Sequence, residues 1–249
     1  MIREEYEKLY KLQKSYWWFK GKKYLIKKIM DSYYSKGKDL SILDVGCGPG
    51  YLTRQYTEYG EVTGLEMADI AIEFCAKNGV LNVKKGSISG MPFDDNQFDL
   101  VSALDILYHR EVKNDEDAIK ELYRVLKPGG RAIITTSAMK CLFGKNDIVQ
   151  HGIRRHSRGE ILEKCRKAGF IKERCSYYTV IFFPIVYIIR KIQNISKIDP
   201  KSDIDENINP IINAVCFWWF KREIDLLRYI NYPFGVHLFG VFYKPANVT

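Results

Sequence analysis

The sequence predicts an α/β protein with a doubly wound, mostly parallel, Rossmann-like sheet, N-terminal cap helices and a C-terminal helical insertion. An apolar segment at 41–45 leads directly into a glycine-rich turn at 46–50. Short apolar segments then alternate with amphipathic ones, which is typical of β-α-β units. With 249 residues, 46% of them hydrophobic, the chain is long enough for one domain with a substantial core. We therefore expect a single catalytic domain over 1–249.

The core elements follow one another in a regular order. Residues 3–30 carry apolar side chains at helical spacing and are expected to form cap helices. Strands are then predicted at 41–45, 61–65, 82–85, 98–103, 131–136 and 170–176. Helices are predicted at 50–59, 70–78, 116–126 and 158–168. The segment Lys127-Pro128-Gly129-Gly130 should end the third of these helices, because proline cannot continue a helix and glycine adopts the left-handed conformation.

The remaining segments lie outside this alternation. Residues 137–158 look like an irregular, polar insertion. Two aromatic and apolar stretches within 177–228 flank a polar linker at 196–209, and we expect a helical insertion there. An apolar segment at 236–243 predicts a closing strand. The predicted layout is thus caps at 1–38, a cofactor-binding core at 39–176, an insertion or acceptor-side cap at 177–232 and the closing strand at 233–249.

Composition narrows the class of partner. The formal charge of +9 favours an anionic partner, although the basic residues are spread along the chain as in a solvated surface. Six cysteines form no CxxC pair and no zinc-like spacing with histidine, which predicts reduced thiols, no metal site and a cytoplasmic location. The longest apolar run, 177–189, is too short to span a bilayer, so peripheral membrane contact stays an alternative. Oligomeric state is not predicted.

The glycine-rich turn carries the main chemical signal. Gly46, Gly48 and Gly50 let the backbone approach a ligand closely, directly after a buried strand. Their GxGxG spacing differs from the dinucleotide fingerprint, and Asp44 before them suits a cationic ligand better than a pyrophosphate. Glu66, at the end of the second strand, is placed to accept ribose hydroxyls. An NAD-dependent enzyme is thereby disfavoured.

Four motifs in the sequence resemble those of the class I S-adenosylmethionine-dependent methyltransferases. In chain order they are LDVGCGPG, GLE, MPFDDNQFDLV and ELYRVLKPGGRAII. The resemblance covers roughly 40–170 and implies S-adenosyl-L-methionine as the methyl donor and S-adenosyl-L-homocysteine as the product. It further implies a cofactor site, whose expected members are Asp44, Gly46, Cys47, Gly48, Glu66, Met67, Ser87, Ile88, Ala103 and Leu104. The family often has an acidic residue where Ser87 stands, so the contact with the adenine amino group is in question.

Three further segments resemble a methyltransferase type 11/12-like subgroup. They are YWWFKGK near the start, HGIRRHSR at 151–158 and PFGVHLFGVFYKP near the end. This narrower resemblance implies a saccharide or lipid-linked acceptor. Trp18 and Lys22, in the first segment, are candidates to cover the cofactor and to reach its carboxylate.

Candidate acceptor-side residues follow from side-chain chemistry. His109 lies just past the fourth strand and is the candidate general base, with Tyr108 second. A basic cluster is a candidate to bind an anionic group of the acceptor, and Tyr177 a candidate to line an apolar pocket. The cluster consists of His151, Arg154, Arg155 and His156. Each of these residues also has an ordinary structural interpretation.

The predicted reaction is in-line displacement, in which an acceptor atom attacks the sulfonium methyl group. A general base is optional because the methyl group is already activated. A small-molecule or lipid-linked acceptor is preferred over RNA, because the chain has neither an RNA-binding module of a usual kind nor an NPPY-like motif after Asp105. A non-catalytic cofactor- or nucleic-acid-binding module is the alternative from another class.

Overall fold

A computed structural model describes residues 3–37, 39–195 and 207–246. Its strands are β1 (Leu40–Val45), β2 (Gly60–Glu66), β3 (Val83–Lys85), β4 (Phe98–Leu104), β5 (Leu126–Ser137), β6 (Ile171–Tyr178) and β7 (His237–Tyr243). Its helices are α1 (Arg3–Leu12), α2 (Trp17–Tyr33), α3 (Asp69–Lys77), α4 (Asp115–Val125), α5 (Lys145–Val149), α6 (Arg158–Lys167), α7 (Phe183–Ile195) and α8 (Pro210–Leu226). The predicted α/β fold class is confirmed.

The strands form one sheet in the order β3-β2-β1-β4-β5-β7-β6. The five strands from β3 to β5 are parallel, and β7 pairs antiparallel with both β5 and β6. The predicted closing strand therefore does not end the sheet, because it is inserted between two strands that precede it in the chain. This insertion places the start of β7 beside the carboxyl end of β5.

Side chains alternate between two buried faces along the central strands. Leu100 and Ile133 point to the face covered by α2 and α8, whereas Val101 and Ile134 point to the face covered by α4 and α6. Both sides of these strands are fully buried, which explains their continuous apolar runs. The helices on the first face, α2 and α8, are about 180 residues apart in the sequence, so distant segments share this part of the core.

Two local expectations were wrong. The predicted helix at 50–59 is only a 3-10 helix, Thr53–Glu58, because Gly50 has the left-handed φ of +79° and Thr53 is held by its side chain to the Asp44 carboxylate. The insertion at 137–158 is not irregular throughout. It contains a 3-10 turn and α5, whose start is fixed by the Asp147 carboxylate accepting the Gly144 N–H at 2.9 Å.

The C-terminal helical insertion contains α7 and α8. Residues 196–206 of the predicted linker lie outside the described residues. At the end of the predicted linker, the Asn209 side chain accepts the Ile211 N–H at 2.8 Å and caps α8. Pro210 begins the helix, at a position where the missing N–H of proline would have no partner within the helix. In the described part of the chain, no helix combines the length and the apolar character needed to cross a membrane.

Candidate functional site

The glycine-rich turn opens into a cavity at the carboxyl ends of β1, β2 and β4, where the strand order reverses. This glycine-turn cavity has a volume of about 420 Å³. Loops after the parallel strands line it, and so do Tyr6 and Leu9 from α1. The predicted cofactor residues among its lining are Gly46, Gly48, Glu66, Met67, Ser87, Ile88 and Leu104.

The Glu66 carboxylate is fixed by three backbone N–H groups. Its Oε1 accepts from Met67 at 2.9 Å and from Ala68 at 3.0 Å, and its Oε2 accepts from Gly48 at 2.9 Å. A carboxylate offers about four acceptor positions, so capacity remains toward the cavity. This arrangement fits the ribose hydroxyls of a nucleoside, because the acceptor is ordered before the ligand arrives.

A side cavity of about 150 Å³, lined by Asp44 and Lys22, adjoins the glycine-turn cavity, with Gly46 and Gly48 lining both. Asp44 accepts hydrogen bonds from Thr53 at 2.6 Å and from Ser102 at 2.5 Å. Burial raises the pKa of Asp44 to about 6, against the opposing effect of these two hydroxyls and Lys22. A cationic group in the side cavity would stabilise the ionised carboxylate, so the site fits a ligand bearing an ammonium or sulfonium group.

Two glycines give the turn its shape. Gly46 has a φ of +68° and Gly48 a φ of +54°, conformations that residues with a side chain rarely adopt. A Cβ on Gly46 would lie 2.4 Å from Ile106 Cδ1, whereas a Cβ on Gly48 would meet nothing within 4 Å. A ligand can therefore approach the backbone at Gly48, whereas the backbone at Gly46 is covered by the Ile106 side chain.

A second cavity, of about 290 Å³, lies on the other side of Asp105. We call it the aromatic cavity, because Trp17, Trp18 and Phe182 line it together with His237. The Trp18 ring stacks parallel to Phe220, with 5.5 Å between ring centroids, and lies 4.4 Å from the His237 ring. Trp18 was predicted to cover the cofactor. It instead forms a wall of the aromatic cavity, because α2 packs on α8.

Asp105 lines both the glycine-turn cavity and the aromatic cavity and has a φ of +57°, a strained conformation for a residue with a side chain. Its carboxylate forms an ion pair with Lys22 and accepts a hydrogen bond from Thr135 at 3.0 Å. Burial alone would raise the pKa of Asp105, but the Lys22 ammonium, helped by the Thr135 hydroxyl, stabilises the ionised form, and the net effect lowers the pKa. An ionised carboxylate therefore stands between the two cavities.

The two candidate bases lie in different cavities. His109 lines the glycine-turn cavity, where its Nδ1 accepts the Glu111 N–H at 3.3 Å, and burial lowers its pKa. Tyr108 lines the aromatic cavity, and burial raises the pKa of its hydroxyl well above the ordinary value. The Tyr108 hydroxyl is therefore protonated at neutral pH and is a donor. Neither geometry favours the roles predicted from sequence, and both roles stay predictions.

The basic cluster predicted at 151–156 is divided between different environments, because neighbouring side chains point in different directions. Within the cluster, Arg155 lines the aromatic cavity; it pairs with Asp147 at 2.8 Å and donates to the Ala138 carbonyl at 2.9 Å. His156 is buried, with its ring nitrogens 2.9 Å from Thr136 Oγ1 and 2.8 Å from Asp115 Oδ2.

The other two members also engage protein groups. Arg154 donates to the Val112 carbonyl at 3.0 Å, and the His151 ring lies beside the His109 ring. Tyr177, predicted to line an apolar pocket, is buried in the core, where its hydroxyl accepts the Arg158 N–H at 2.9 Å. For His156 and Tyr177 the contacts favour structural roles over the predicted binding of an acceptor.

Two predicted cofactor residues lie beside the glycine-turn cavity and do not line it. Ala103 is fully buried in the sheet, while the next residue, Leu104, reaches the cavity. Cys47 lines the side cavity, and its Sγ lies 3.8 Å from Cys75 Sγ. The contact with Cys75 and burial raise the pKa of the Cys47 thiol far above its usual range, so the thiol is not nucleophilic.

Sequence reasoning missed several residues of the aromatic cavity, among them Asp147 and His237. Asp147 and His237 lie far apart in the chain, and no side-chain role was predicted for either. His237 begins β7 and is brought to Asp105 because β7 pairs with β5. The signals in the sequence were the position of His237 just after a turn, at the start of an apolar segment, and its place within PFGVHLFGVFYKP.

Comparison with known proteins places the glycine-turn cavity in context. Residues 43–134 match the family described as methyltransferase domain. The ubiquinone biosynthesis O-methyltransferase of Rickettsia bellii is 32% identical over 152 residues, which are 54% of this chain and 62% of the relative. The chain spans smaller shares of other curated relatives, such as 37% of an uncharacterised methyltransferase of Schizosaccharomyces pombe.

Solved structures share the fold at lower identity. A chain from the Haloferax volcanii complex between the Trm112 methyltransferase activator and a methyltransferase has a TM-score of 0.62 and 19% identity, with 100% of both chains covered. A second similar structure is phosphoethanolamine N-methyltransferase 2 of Haemonchus contortus in complex with phosphomonomethylethanolamine and S-adenosylhomocysteine. It has a TM-score of 0.57 and 21% identity, and the match covers 89% of this chain and 52% of that chain.

Proposed function

Because the chain carries a class I S-adenosylmethionine-dependent methyltransferase domain, we propose that it transfers the methyl group of S-adenosylmethionine to an acceptor held in the aromatic cavity. The methyl donor would occupy the glycine-turn cavity and the side cavity. Glu66 would hold the ribose, and Asp44 and Lys22 would face the charged amino acid end. In this proposal residues 1–249 act as one catalytic domain.

The position of Asp105 carries the proposal. This residue lines both the glycine-turn cavity and the aromatic cavity, so a reactive group presented at the end of one meets a ligand bound in the other. Its ionised carboxylate favours a cationic sulfonium centre nearby. In-line displacement needs donor and acceptor on opposite sides of the transferred carbon, and two cavities meeting at one residue provide that arrangement.

The walls of the aromatic cavity suggest the class of acceptor. Flat rings of Trp17, Trp18 and Phe182 favour an apolar or ring-shaped group, and Asp105 is placed to accept a hydrogen bond from its hydroxyl or amine. A volume of about 290 Å³ suits a small molecule or one end of a lipid-linked or saccharide acceptor. A base in a folded RNA is the alternative acceptor.

The residues of the aromatic cavity would position the acceptor, with no proton removed before transfer. Burial lowers the pKa of His237 to about 3, so the ring is neutral at neutral pH, and its Nδ1 lies 3.1 Å from Thr179 Oγ1. When bound, the cofactor supplies an activated methyl group. His237 and Asp105 would then orient the attacking atom, and the Trp18 wall would exclude water.

The first experiment measures cofactor binding by calorimetry. The wild-type chain should bind S-adenosylmethionine and S-adenosylhomocysteine, while Asp44→Ala and Glu66→Ala should each reduce the affinity, and NAD should not bind. Asp94→Ala, an exposed carboxylate outside the cavities, is the matched control. Preference for NAD, or unchanged affinity in both variants, would contradict the proposal.

A second measurement separates an enzyme from a binding module. Release of S-adenosylhomocysteine would be followed with hydroxylated or aminated aromatic, saccharide and lipid-linked acceptors, and with RNA in parallel. Turnover that Trp18→Ala abolishes, with cofactor affinity retained, supports an acceptor in the aromatic cavity. Cofactor binding without turnover on any of these acceptors would support the non-catalytic alternative.

A further inference from the structure

Helix α7 turns an apolar side toward solvent. Its exposed stripe consists of Ile185, Ile188, Ile189 and Ile192, which recur at i, i+3, i+4 and i+7 and are between 42% and 59% exposed. The polar residue Arg190 points the other way, is 4% exposed and lines the aromatic cavity. A surface helix of a globular protein normally turns its apolar side chains toward the core and its charged side chains toward water. The isoleucine stripe therefore fits an environment other than water.

Helix α8 and the segment after it present a second apolar stripe. Ile211, Val215 and Trp218 follow at helical spacing, and Trp219 beside them is also about half exposed. Tyr229, just beyond the helix, is 76% exposed. Tryptophan and tyrosine have an apolar ring with a polar edge, and they are enriched where a membrane meets water.

The two helices are joined through a buried carboxylate. Glu223 of α8 is 2% exposed and accepts the backbone N–H groups of Thr179, Val180 and Ile181, which lead into α7. Trp17 of α2 also contacts both segments, with ring centroids 4.8 Å from Phe182 and 5.7 Å from Phe220. These contacts hold the start of α7 against α8, so both stripes belong to one part of the molecule.

Among the residues that the structure describes, the exposed charges beside the stripes are basic. Lys191, Arg222 and Arg228 are exposed, and each lies within 6 Å of an exposed aromatic ring, at 5.5, 5.4 and 5.8 Å from the ring centroids. The acidic residues of α8 are engaged in the protein, because Glu223 is buried and Asp225 binds Tyr24 and Lys28. Helix α7 has no acidic residue in its described part.

From these contacts we propose that α7 and α8 dock on the surface of an anionic lipid bilayer. The isoleucine and tryptophan side chains enter the boundary between headgroups and acyl chains, and the basic side chains bind the anionic headgroups. A second copy of the chain fits this surface less well, because a two-fold contact would bring the same basic residues together.

Docking in this orientation places the aromatic cavity next to the membrane. Ile189 is both part of the exposed isoleucine stripe and part of the cavity lining, together with Val186 and Arg190 of the same helix. A lipid-linked acceptor would reach the cavity along α7 without leaving the bilayer surface. The docking itself does not depend on the proposed methyl transfer, and it is measured without a methyl donor.

The test is flotation of the full chain with vesicles of phosphatidylcholine alone or of phosphatidylcholine mixed with phosphatidylglycerol. We expect binding to the mixed vesicles and at least about tenfold weaker binding to phosphatidylcholine alone, since three basic residues face the headgroups. The double variant Ile188→Gln, Ile192→Gln should lose at least about tenfold in binding to the mixed vesicles. Circular dichroism would verify that the variant is folded.

Matched controls replace equally exposed apolar residues elsewhere. Ile171→Gln, at the start of β6, and Leu81→Gln, before β3, should bind the vesicles as the wild type does. Quenching by brominated lipid should reach Trp218 and Trp219, so the quenching should disappear in Trp218→Phe, Trp219→Phe, although Trp17 and Trp18 remain.

Three results would overturn the proposal. One is the absence of vesicle binding, and another is binding that does not depend on headgroup charge. The third is a wild-type dimer in ultracentrifugation that Ile188→Gln, Ile192→Gln converts to monomer without any effect on vesicle binding, since a second copy would then cover the stripe.

Discussion

The glycine-turn cavity and the aromatic cavity meet at Asp105, yet the chain builds them differently. Apart from two residues of α1, the glycine-turn cavity is lined by residues between 46 and 112, from loops that follow successive parallel strands. The aromatic cavity takes residues from α2, from the loop after β4, from α7 and from the start of β7. The first is local in sequence and the second is assembled from distant segments.

This difference changes what holds each cavity together. Backbone geometry shapes the glycine-turn cavity, through left-handed glycines and a carboxylate bound by three N–H groups. Side-chain contacts between distant segments shape the aromatic cavity, including the buried Arg155–Asp147 ion pair and the Trp18 stack. Substitutions in the two cavities should therefore have different effects. Those in the glycine-turn cavity should lower ligand affinity, and those in the aromatic cavity should lower stability or acceptor binding.

The largest expected effect is on stability, in the aromatic cavity. Arg155→Met removes one partner of a buried ion pair and leaves the Asp147 carboxylate buried without it, which should cost about 3–5 kcal/mol of unfolding free energy. Urea denaturation measures the loss. Lys120→Met, which breaks the exposed pair with Asp117, should change stability by less than about 1 kcal/mol. Equal losses in both variants would show that burial of the pair does not matter.

The next largest effect is on cofactor affinity in the glycine-turn cavity. Gly46→Ala imposes a φ of +68° on a residue with a side chain and places its Cβ 2.4 Å from Ile106 Cδ1, so the Ile106 side chain must shift and the turn is strained, and affinity for S-adenosylmethionine should fall by about tenfold or more. Gly37→Ala shares a left-handed φ, +72°, but its Cβ meets nothing within 4 Å. It should therefore keep wild-type affinity in calorimetry. A similar loss in Gly37→Ala would mean that general destabilisation, and not the turn, is responsible.

A pH dependence should follow from Asp44. The ionised carboxylate is expected to bind the cationic ligand, so affinity should fall as the pH drops through about 6, by about tenfold at one pH unit below that value. The effect on stability has the opposite sign. Because the pKa is raised in the folded state, the contribution of Asp44 to stability is present at low pH and is lost as the pH rises through about 6.

Calorimetry between pH 5 and pH 8 tests this prediction about Asp44, whose pKa lies near 6. Asp44→Asn should bind S-adenosylmethionine more weakly at neutral pH and should show no step near pH 6. A step that persists in Asp44→Asn would assign the titration to another group.

The smallest effect concerns the acceptor alone. His237→Leu removes a hydrogen-bonding ring from the aromatic cavity, so the KM for an acceptor should rise by about two- to tenfold while the Kd for S-adenosylmethionine stays the same. The matched variant His109→Leu lies in the other cavity and should change cofactor affinity more than acceptor KM. Reversed results would exchange the roles assigned to the two cavities.

The cofactor side was predictable from the sequence to a large extent. The turn at 46–50 and the carboxylate Glu66 lie at strand ends, and parallel strands bring their carboxyl ends to one edge of the sheet, so a local motif fixes a spatial position. Ala103 shows the limit of this reasoning, because it is buried in the sheet, whereas the adjacent Leu104, predicted together with it, lines the cavity.

The acceptor side was predictable only in its location. His156 and Arg155 are adjacent in the sequence, yet one is held between Thr136 and Asp115 and the other lines the aromatic cavity. Trp18, a candidate to cover the cofactor, lines the aromatic cavity, because its place depends on how α2 packs against α8. Such packing depends on residues about two hundred positions apart, and the hydrophobic pattern of one helix does not specify its partner.

From the sequence alone we could predict the α/β class, most of the order of strands and helices, and a glycine-rich turn suited to a cationic ligand, because these depend on short-range periodicity and backbone conformation. The folded chain was needed to see that β7 lies between β5 and β6, that Asp105 lines two cavities, and that α7 turns its isoleucines to solvent. These features depend on which distant segments pack together, and that choice is made by the whole core.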